Sequence, residues 1–266
     1  MPVPYAEVIG DPVAQSNSPA IHKNWLAQLG MEGDFRATRV SPDQLEDYFS
    51  LRRVDPHWRG CSVTIPHKQA VLRFLDSTDP AATAMGAVNC ISRDAQLLAG
   101  RNTDVDGIAA VLDQVHLEGE KAVLIGAGGA ARAAIHYLQR RRIGNIVILV
   151  RDPAKASREL TGGGSQHVEI RPLTECKNAF EDASLIANAS PMGMEGQSPM
   201  PPALLASLAK HAPGKVLFDM VYKRLETDFL VTGAANGAAT INGMKMLVGQ
   251  ARSAFQAFFG SPPPLR

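Results

Sequence analysis

Residues 121–133 read KAVLIGAGGAARA, and this stretch decides the fold. An apolar run, Lys121 to Ile125, enters a glycine-rich loop that opens directly into an alanine-rich segment. Gly126, Gly128 and Ala131 give the G-x-G-x-x-A spacing of a dinucleotide fingerprint. In such a loop the first glycine permits the tight turn, and the second lets backbone come close to a pyrophosphate. The free N–H groups and positive dipole end of the helix that follows favour that anion. A glycine-rich turn chosen only for close helix–sheet packing has the same spelling. The strand before the loop and the helix after it favour the binding reading.

Working outward, Asn145 to Val150 is the next apolar strand and completes a βαβ unit. An NAD-dependent protein places an acid at the end of this strand, on the ribose 2′-hydroxyl. Here the chain has Val150, Arg151, Asp152 and then Lys155. Arg151 and Lys155 suit a 2′-phosphate, Asp152 opposes it, and a solvated turn before Pro153 is the bland alternative. Leu185 to Ala189 and Val216 to Met220 are continuous apolar runs, as in strands buried on both faces of a parallel sheet. Between Ala154 and Glu169 the segment TGGGSQH reads as a surface loop. The last helix, Met244 to Phe259, carries Met244, Leu247, Val248, Ala251, Phe255 and Phe258 on one stripe, which needs a partner surface.

Upstream, Ala6 to Gly10 is an apolar strand running into GDPVAQSNSPA. Ile21, Trp25, Leu26 and Leu29 then recur at helical spacing as far as Gly30. Ser18 followed by Pro19 reads as a helix N-cap with proline at the first position. Strands at Asp34 to Val40 and Cys61 to Ile65, a helix around Pro42 to Leu51 and another after Pro66 continue the alternation. Val88 to Ile91 and Leu97 to Ala99 read as a hairpin, followed by a helix carrying Ile108, Val111, Leu112 and Val115. The expectation is two α/β domains, the second a Rossmann-type doubly wound parallel sheet, with a substrate and cofactor cleft between them. Residues 1–104 plus 238–266 form the substrate-binding domain and residues 105–237 the dinucleotide-binding domain, with hinges near Asp104 to Gly107 and Ala235 to Gly237.

Bulk composition narrows the class. The 266 residues suit two domains, and 45% hydrophobic with 20% charged residues and a net charge of +1 describe an ordinary globular protein. That balance offers no basic patch for nucleic acid. No run approaches the ~20 apolar residues of a membrane span, and the N-terminus lacks the features of a secretory signal. Three cysteines, Cys61, Cys90 and Cys176, fit a reducing compartment, so a cytoplasmic protein is expected. The histidines form no metal-ligand pair, and no metal is expected.

Taken in order, the loop with Ser16 and Ser18, VTIPHK (63–68), AVN (87–89), GRNTD (100–104), GAGGAARA (126–133), NASPMGM (188–194), DMVY (219–222) and MLVGQA (246–251) resemble the shikimate dehydrogenase family. The resemblance covers nearly the whole chain. It implies reversible reduction of 3-dehydroshikimate to shikimate with NADP, within chorismate and aromatic amino acid biosynthesis. It also implies Lys68 and Asp104 as the pair attending the proton. Ser16 and Ser18 then match the serines that bind the substrate carboxylate. Thr64, Asn89 and Gln250 match the groups that meet its hydroxyls, and Tyr222 one near the carboxylate. Cofactor contacts fall on Gly126, Gly128, Gly129, Ala130, Arg151, Lys155, Asn188, Ser190, Met192, Val221 and Gly243. From the residues alone, a lysine beside a carboxylate can protonate or stabilise a developing alkoxide. Asp104 could equally cap the helix beginning near Val105, with Thr103 as the other candidate, and Ser18 could be a cap and nothing more.

The chain departs from the family pattern at Ser62, Cys90, Val150, Asp152, Arg224 and Lys245. Quinate or another shikimate-like acid as substrate, and NAD as cofactor, therefore stand as alternatives. A non-catalytic paralogue binding a shikimate-like ligand is a further one, which retention of Lys68 and Asp104 opposes. A small-molecule substrate and a monomer or homodimer are expected.

Overall fold

The structure, a computed structural model, describes residues 3–160 and 167–264, so all but the last residue of the loop expected at 161–167 lies outside the described residues. It divides into two compact units, Met1–Asp106 with Val248–Arg266, and Gly107–Leu247.

In the first unit β1 (Tyr5–Gly10), β2 (Asp34–Arg39), β3 (Trp58–Val63), β4 (Ser77–Thr78), β5 (Cys90–Asp94) and β6 (Leu97–Arg101) form a mixed sheet. Its order is β2-β1-β3-β5-β6-β4. β2 and β3 flank β1 in parallel, whereas β5 runs antiparallel to β3 and β6. Helices α1 (Ser18–Gln28), α2 (Leu45–Val54) and α3 (Pro80–Met85) complete the connections. Because β1 is buried at every position, Glu7 is buried with it. An isolated buried carboxylate is costly, and here Arg52 Nε at 2.6 Å, Tyr48 Oη at 2.7 Å and the Thr38 hydroxyl compensate it.

Two local expectations change. The residue preceding α1 is Asn17, with Ser18 already inside the helix, and it is the Ser16 hydroxyl that accepts the Ser18 N–H, at 3.2 Å. After Pro66 there is no α-helix; the chain makes turns and a short 3₁₀ segment over Ala70–Phe74. His67 is buried with Nε2 donating to the Val40 carbonyl at 2.6 Å, and the Lys68 carbonyl accepts from the Val88 N–H at 2.8 Å. Backbone groups fastened to neighbouring strands in this way are not free for helical bonding.

α4 (Asp104–Leu112) leads into the second unit. There β7 (Lys121–Ile125), β8 (Asn145–Val150), β9 (Val168–Pro172), β10 (Leu185–Asn188), β11 (Val216–Asp219) and β12 (Ala239–Ile241) form a sheet in the order β12-β11-β10-β7-β8-β9. Every pairing is parallel. Helices α5 (Gly129–Arg140), α6 (Pro153–Leu160), α7 (Cys176–Phe180), α8 (Pro202–His211) and α9 (Asp228–Ala235) connect the strands. This is the doubly wound order, whose switch point lies between β7 and β10. The expected return to the first domain at residue 238 is corrected: β12 pairs with β11, so residues 238–247 stay in the second unit. The first crossing falls after Asp106 rather than after Asp104.

The last helix, α10 (Met244–Phe259), carries the chain back, and its apolar stripe finds its partner in the first unit. Ala251 and Phe255 pack with Trp25 and Leu26 of α1, and Ala254 and Phe258 with Ala6, Val8 and Phe35 of the sheet. Within this packing sits His22, fully buried, its ring stacked on Phe35 at 4.0 Å and beside Phe255 at 5.7 Å. Neither ring nitrogen has a protein partner among the described residues. Burial lowers its pKa from 6.5 to about 3, so the folded state holds it neutral.

Between pH 6.5 and 3 the unfolded chain therefore binds a proton that the folded chain refuses, and stability falls as the pH falls. Urea unfolding at pH 7 and pH 5 is expected to show that His22→Leu loses about 2 kcal/mol less than wild type over that interval, at about 1.4 kcal/mol per pH unit.

Candidate active site

The loops that leave the carboxyl ends of β1 and β3 run side by side, fixed by Thr64 N–H to the Ile9 carbonyl at 2.9 Å and Asp11 N–H to the Ile65 carbonyl at 3.1 Å. They bring Ser16 and Ser18 into the same part of the first unit as Thr64 and Lys68. The Ser18 hydroxyl has no protein partner among the described residues, while its N–H is held by Ser16.

Asp104 opens α4 and is buried. Its Oδ2 accepts from Lys68 Nζ at 2.6 Å and its Oδ1 from Asn89 Nδ2 at 2.8 Å. Asn89 Oδ1 in turn accepts from the Thr103 N–H at 2.7 Å and the Thr103 hydroxyl at 3.2 Å, and that hydroxyl also lies 3.4 Å from Gln250 Oε1. Asn102 Oδ1 accepts the Asp104 N–H at 3.2 Å, and Asn102 Nδ2 donates to the Ala87 carbonyl at 2.8 Å. One connected network thus joins Lys68, Asp104, Asn89, Thr103 and Gln250. Lys68 keeps about a fifth of its side chain exposed, whereas Asp104 is nearly enclosed, so of the pair the lysine is the more accessible to an incoming molecule. A cation held against a carboxylate in this manner can stabilise negative charge growing on a carbonyl oxygen and exchange a proton with it.

Tyr222 and every expected cofactor residue lie in the second unit. Gly126 follows β7 with φ +108°, a conformation that favours glycine, and a Cβ there would stand 3.0 Å from Ser190 Cβ and 3.1 Å from the Ala189 carbonyl. The glycine loop and the 188–192 loop therefore meet at the switch point of the sheet. Gly128 precedes α5 in extended conformation, and a Cβ on it would point into open space. No side chain caps α5, so its first-turn N–H groups, those of Gly129, Ala130 and Ala131, are available to an anion. These features fit a dinucleotide.

The other cofactor candidates divide into two kinds. Arg151 and Lys155 are exposed; Asp152 turns its carboxylate onto the Lys155 N–H at 2.9 Å, and Lys155 Nζ lies 3.7 Å from Glu159. Asp152 thereby caps the first turn of α6. Asn188 is fully buried, accepting from the Ser190 N–H at 3.1 Å and hydroxyl at 2.7 Å, and donating to the Met192 carbonyl at 3.1 Å. Gly243 accommodates a close crossing, since a Cβ there would stand 2.6 Å from the Met220 carbonyl oxygen and 2.7 Å from that of Val221. Burial pushes the Tyr222 phenol above its usual pKa, so it stays protonated.

Four further polar residues not among the expected site residues are buried and hydrogen-bonded: His67, Asn102, Asp219 and Thr227. His67, Asn102 and Asp219 stand inside quoted motifs, whereas nothing in the sequence around Thr227 marks it. Among the described residues no group of histidine, cysteine or acidic side chains could hold a metal ion, and no helix is long and apolar enough to cross a membrane.

Comparison with known proteins agrees with this layout. Residues 8–91 match the shikimate dehydrogenase substrate binding domain and residues 109–192 the shikimate / quinate 5-dehydrogenase model. The chain is 43% identical over 263 residues to the shikimate dehydrogenase (NADP(+)) of Sphingopyxis alaskensis, covering 98% of this chain and 93% of that one. The shikimate 5-dehydrogenase of Thermus thermophilus, solved with NADP(H) and shikimate, superposes with a TM-score of 0.82 at 30% identity, covering 98% and 95% of the two chains. That of Listeria monocytogenes, solved with shikimate and NAD, gives 0.86 at 26% identity, covering 98% and 93%.

Removing Asn89 tests the network. Asn89→Ala leaves Asp104 Oδ1 and the Thr103 N–H without their protein partners, and two unsatisfied buried groups are expected to cost about 2–4 kcal/mol in urea unfolding.

Proposed function

The chain belongs to the shikimate dehydrogenase family, and we propose that it catalyses the reversible NADP-dependent reduction of 3-dehydroshikimate to shikimate. The observation that carries this reading is Asp104, gripped by Lys68 on one oxygen and by Asn89 on the other. A dinucleotide held by its pyrophosphate at the glycine loop, with its nicotinamide half beside the 188–192 loop, would supply the hydride for the ketone carbon. As negative charge grows on the ketone oxygen, Lys68 Nζ stabilises it and passes it a proton, leaving the hydroxyl of the product. Asp104 holds the ammonium in place and, through Asn89 and Thr103, keeps a single orientation. In the oxidative direction the pair takes the hydroxyl proton back.

Ser18, whose hydroxyl is without a partner among the described residues, and Ser16 are the proposed holders of the substrate carboxylate, aided by the N-terminus of α1. Thr64, Asn89, Gln250 and Tyr222 are the proposed contacts for the rest of the substrate. A site that hydrogen-bonds hydroxyls rejects analogues that lack them. On the cofactor side Gly126, Gly128, Gly129 and Ala130 would cradle the pyrophosphate, and Arg151 and Lys155 would meet the 2′-phosphate. Asn188, Ser190, Met192, Val221 and Gly243 would shape the surface for the nicotinamide half. A monomer or homodimer working in the cytoplasm, in aromatic amino acid biosynthesis, completes the proposal; the three cysteines are buried and free.

Asp152 favours a second reading, in which NAD is also used; quinate is the alternative substrate that goes with it. Its carboxylate sits at the start of α6, between Arg151 and Lys155, where it weakens their attraction for a phosphate.

Absorbance of the reduced nicotinamide, read with shikimate and quinate against NADP and NAD, tests both readings. Turnover of shikimate with NADP should dominate, and Lys68→Ala should lower kcat by about 10³-fold while leaving cofactor binding intact. Failure of Lys68→Ala to slow turnover would remove the lysine from the mechanism. Asp152→Asn keeps a capping side chain and removes the charge, so kcat/KM for NADP should rise about fivefold at low salt, with less gain at 0.5 M salt.

A further inference from the structure

We propose that Asp219, a residue outside the set of ligand contacts, is the positioning residue of the cofactor site, fixing the loops after β10 and β11 in one arrangement. The inference rests on the dinucleotide reading of the second unit given above.

Asp219 ends β11 and is fully buried, so it cannot itself touch a ligand. Its Oδ1 accepts from Asn188 Nδ2 at 2.9 Å and from the Val221 N–H at 3.0 Å, and its Oδ2 from the Thr227 hydroxyl at 2.5 Å. Each donor controls a different segment. Asn188 folds the 188–192 loop through its bonds to Ser190 and Met192. Val221 continues the 219–222 loop, and its carbonyl accepts the Gly243 N–H at 3.3 Å, so the third cofactor segment is tied to the same point. Thr227 precedes α9 and accepts the Leu230 N–H at 3.3 Å. A carboxylate is suited to this place because it is acceptor-only: it can receive all three donors at once with no proton of its own to satisfy.

The groups facing this carboxylate are an amide, a backbone N–H and a hydroxyl, all neutral. Burial without a cation pushes its pKa above the ordinary aspartate range. A buried acid retained without a counter-cation costs stability, and the loop geometry it enforces offers a reason for its presence.

Calorimetric titration of the full chain with NADP and with NAD, independent of turnover, tests the inference. Asp219→Ala is expected to raise the cofactor Kd at least tenfold, and to raise KM for shikimate at saturating cofactor by less than that, because Tyr222 is the one proposed substrate contact on the loops it fixes. Asp219→Asn keeps Oδ1 for Asn188 and Val221, and its amide can donate to the Thr227 oxygen, so it should stay within about threefold of wild type. Thr227→Val removes one of the three bonds and should raise Kd about threefold. A folded Asp219→Ala that binds cofactor within twofold of wild type would overturn the proposal, and so would an Asp219→Asn as impaired as the alanine variant. If the alanine variant cannot be recovered folded, an unchanged Kd in Thr227→Val overturns it instead. Wild type that binds neither dinucleotide would sink the underlying reading, an outcome distinct from equal binding by wild type and variant.

Discussion

Burying a carboxylate requires that each oxygen be answered, and the first unit is organised around that requirement at Asp104. Lys68 answers one oxygen and Asn89 the other. Lys68 lies in the turn after β3, Asn89 just before β5, Thr103 and Asp104 just after β6, and Gln250 on the returning helix. Backbone bonds secure the first two from the side of the sheet: Val88 N–H to the Lys68 carbonyl and Val63 N–H to the Asn89 carbonyl, both at 2.8 Å. The mixed sheet thus aligns the donors, and the packing of α10 on α1 brings Gln250 to the same network. A structure that mislaid the turn after β3 or the segment before β5 would leave a buried charge short of partners, at several kcal/mol.

The chemistry of the two units follows from how each answers its buried acids. Glu7 has Arg52 and Asp104 has Lys68, whereas Asp219 has only neutral donors. A cation close to a carboxylate is also a group that can act on a substrate, and only Lys68 of these two sits at the ends of strands whose loops carry other ligand-type residues. Arg52 belongs to α2, packs over the Tyr48 ring at 4.9 Å and is engaged in the sheet interior. The same pairing of acid and base is structural in one place and available for catalysis in the other. Burial and location decide between them.

Much of this was legible in the sequence. The continuous apolar runs of β7, β8, β10 and β11 and the glycine loop between β7 and α5 specified the doubly wound sheet, because strands covered on both faces need apolar residues throughout. The edges were not legible. β9 and β12 are short and only partly buried, so they carry too little apolar pattern to read, and missing β12 moved the expected return point by ten residues, from 237/238 to 247/248. α6 was obscured for a similar reason, since Ala156 is its one buried residue. Pro66 and the residues after it suit a helix around Lys68, and the tertiary bonds of His67 and Lys68 override that local preference. Motifs identified residues that could face a ligand, such as Ser18 and Lys68. They could not identify Asp219 or Thr227, whose work is done behind the surface and becomes visible only when three separate segments are seen to share one carboxylate.

Two buried groups, His22 and Asp219, press the stability of the two units in opposite directions as pH changes. His22 has a lowered folded pKa, so protons favour the unfolded state, and the first unit weakens as the pH falls below 6.5. Asp219 has a raised folded pKa, so its contribution has the other sign: raising the pH through the ordinary aspartate range ionises the unfolded chain first and costs the second unit stability up to the folded pKa. Among the described residues neither group has a charged partner that would offset its burial, and the reasons for tolerating them differ. His22 fills an aromatic cluster where its ring packs and its nitrogens serve nothing described, so an apolar residue of similar size should do as well. Asp219 supplies acceptor capacity that no apolar residue has. Replacing His22 therefore removes no hydrogen bond among the described residues, while the role proposed for Asp219 requires its buried acceptors.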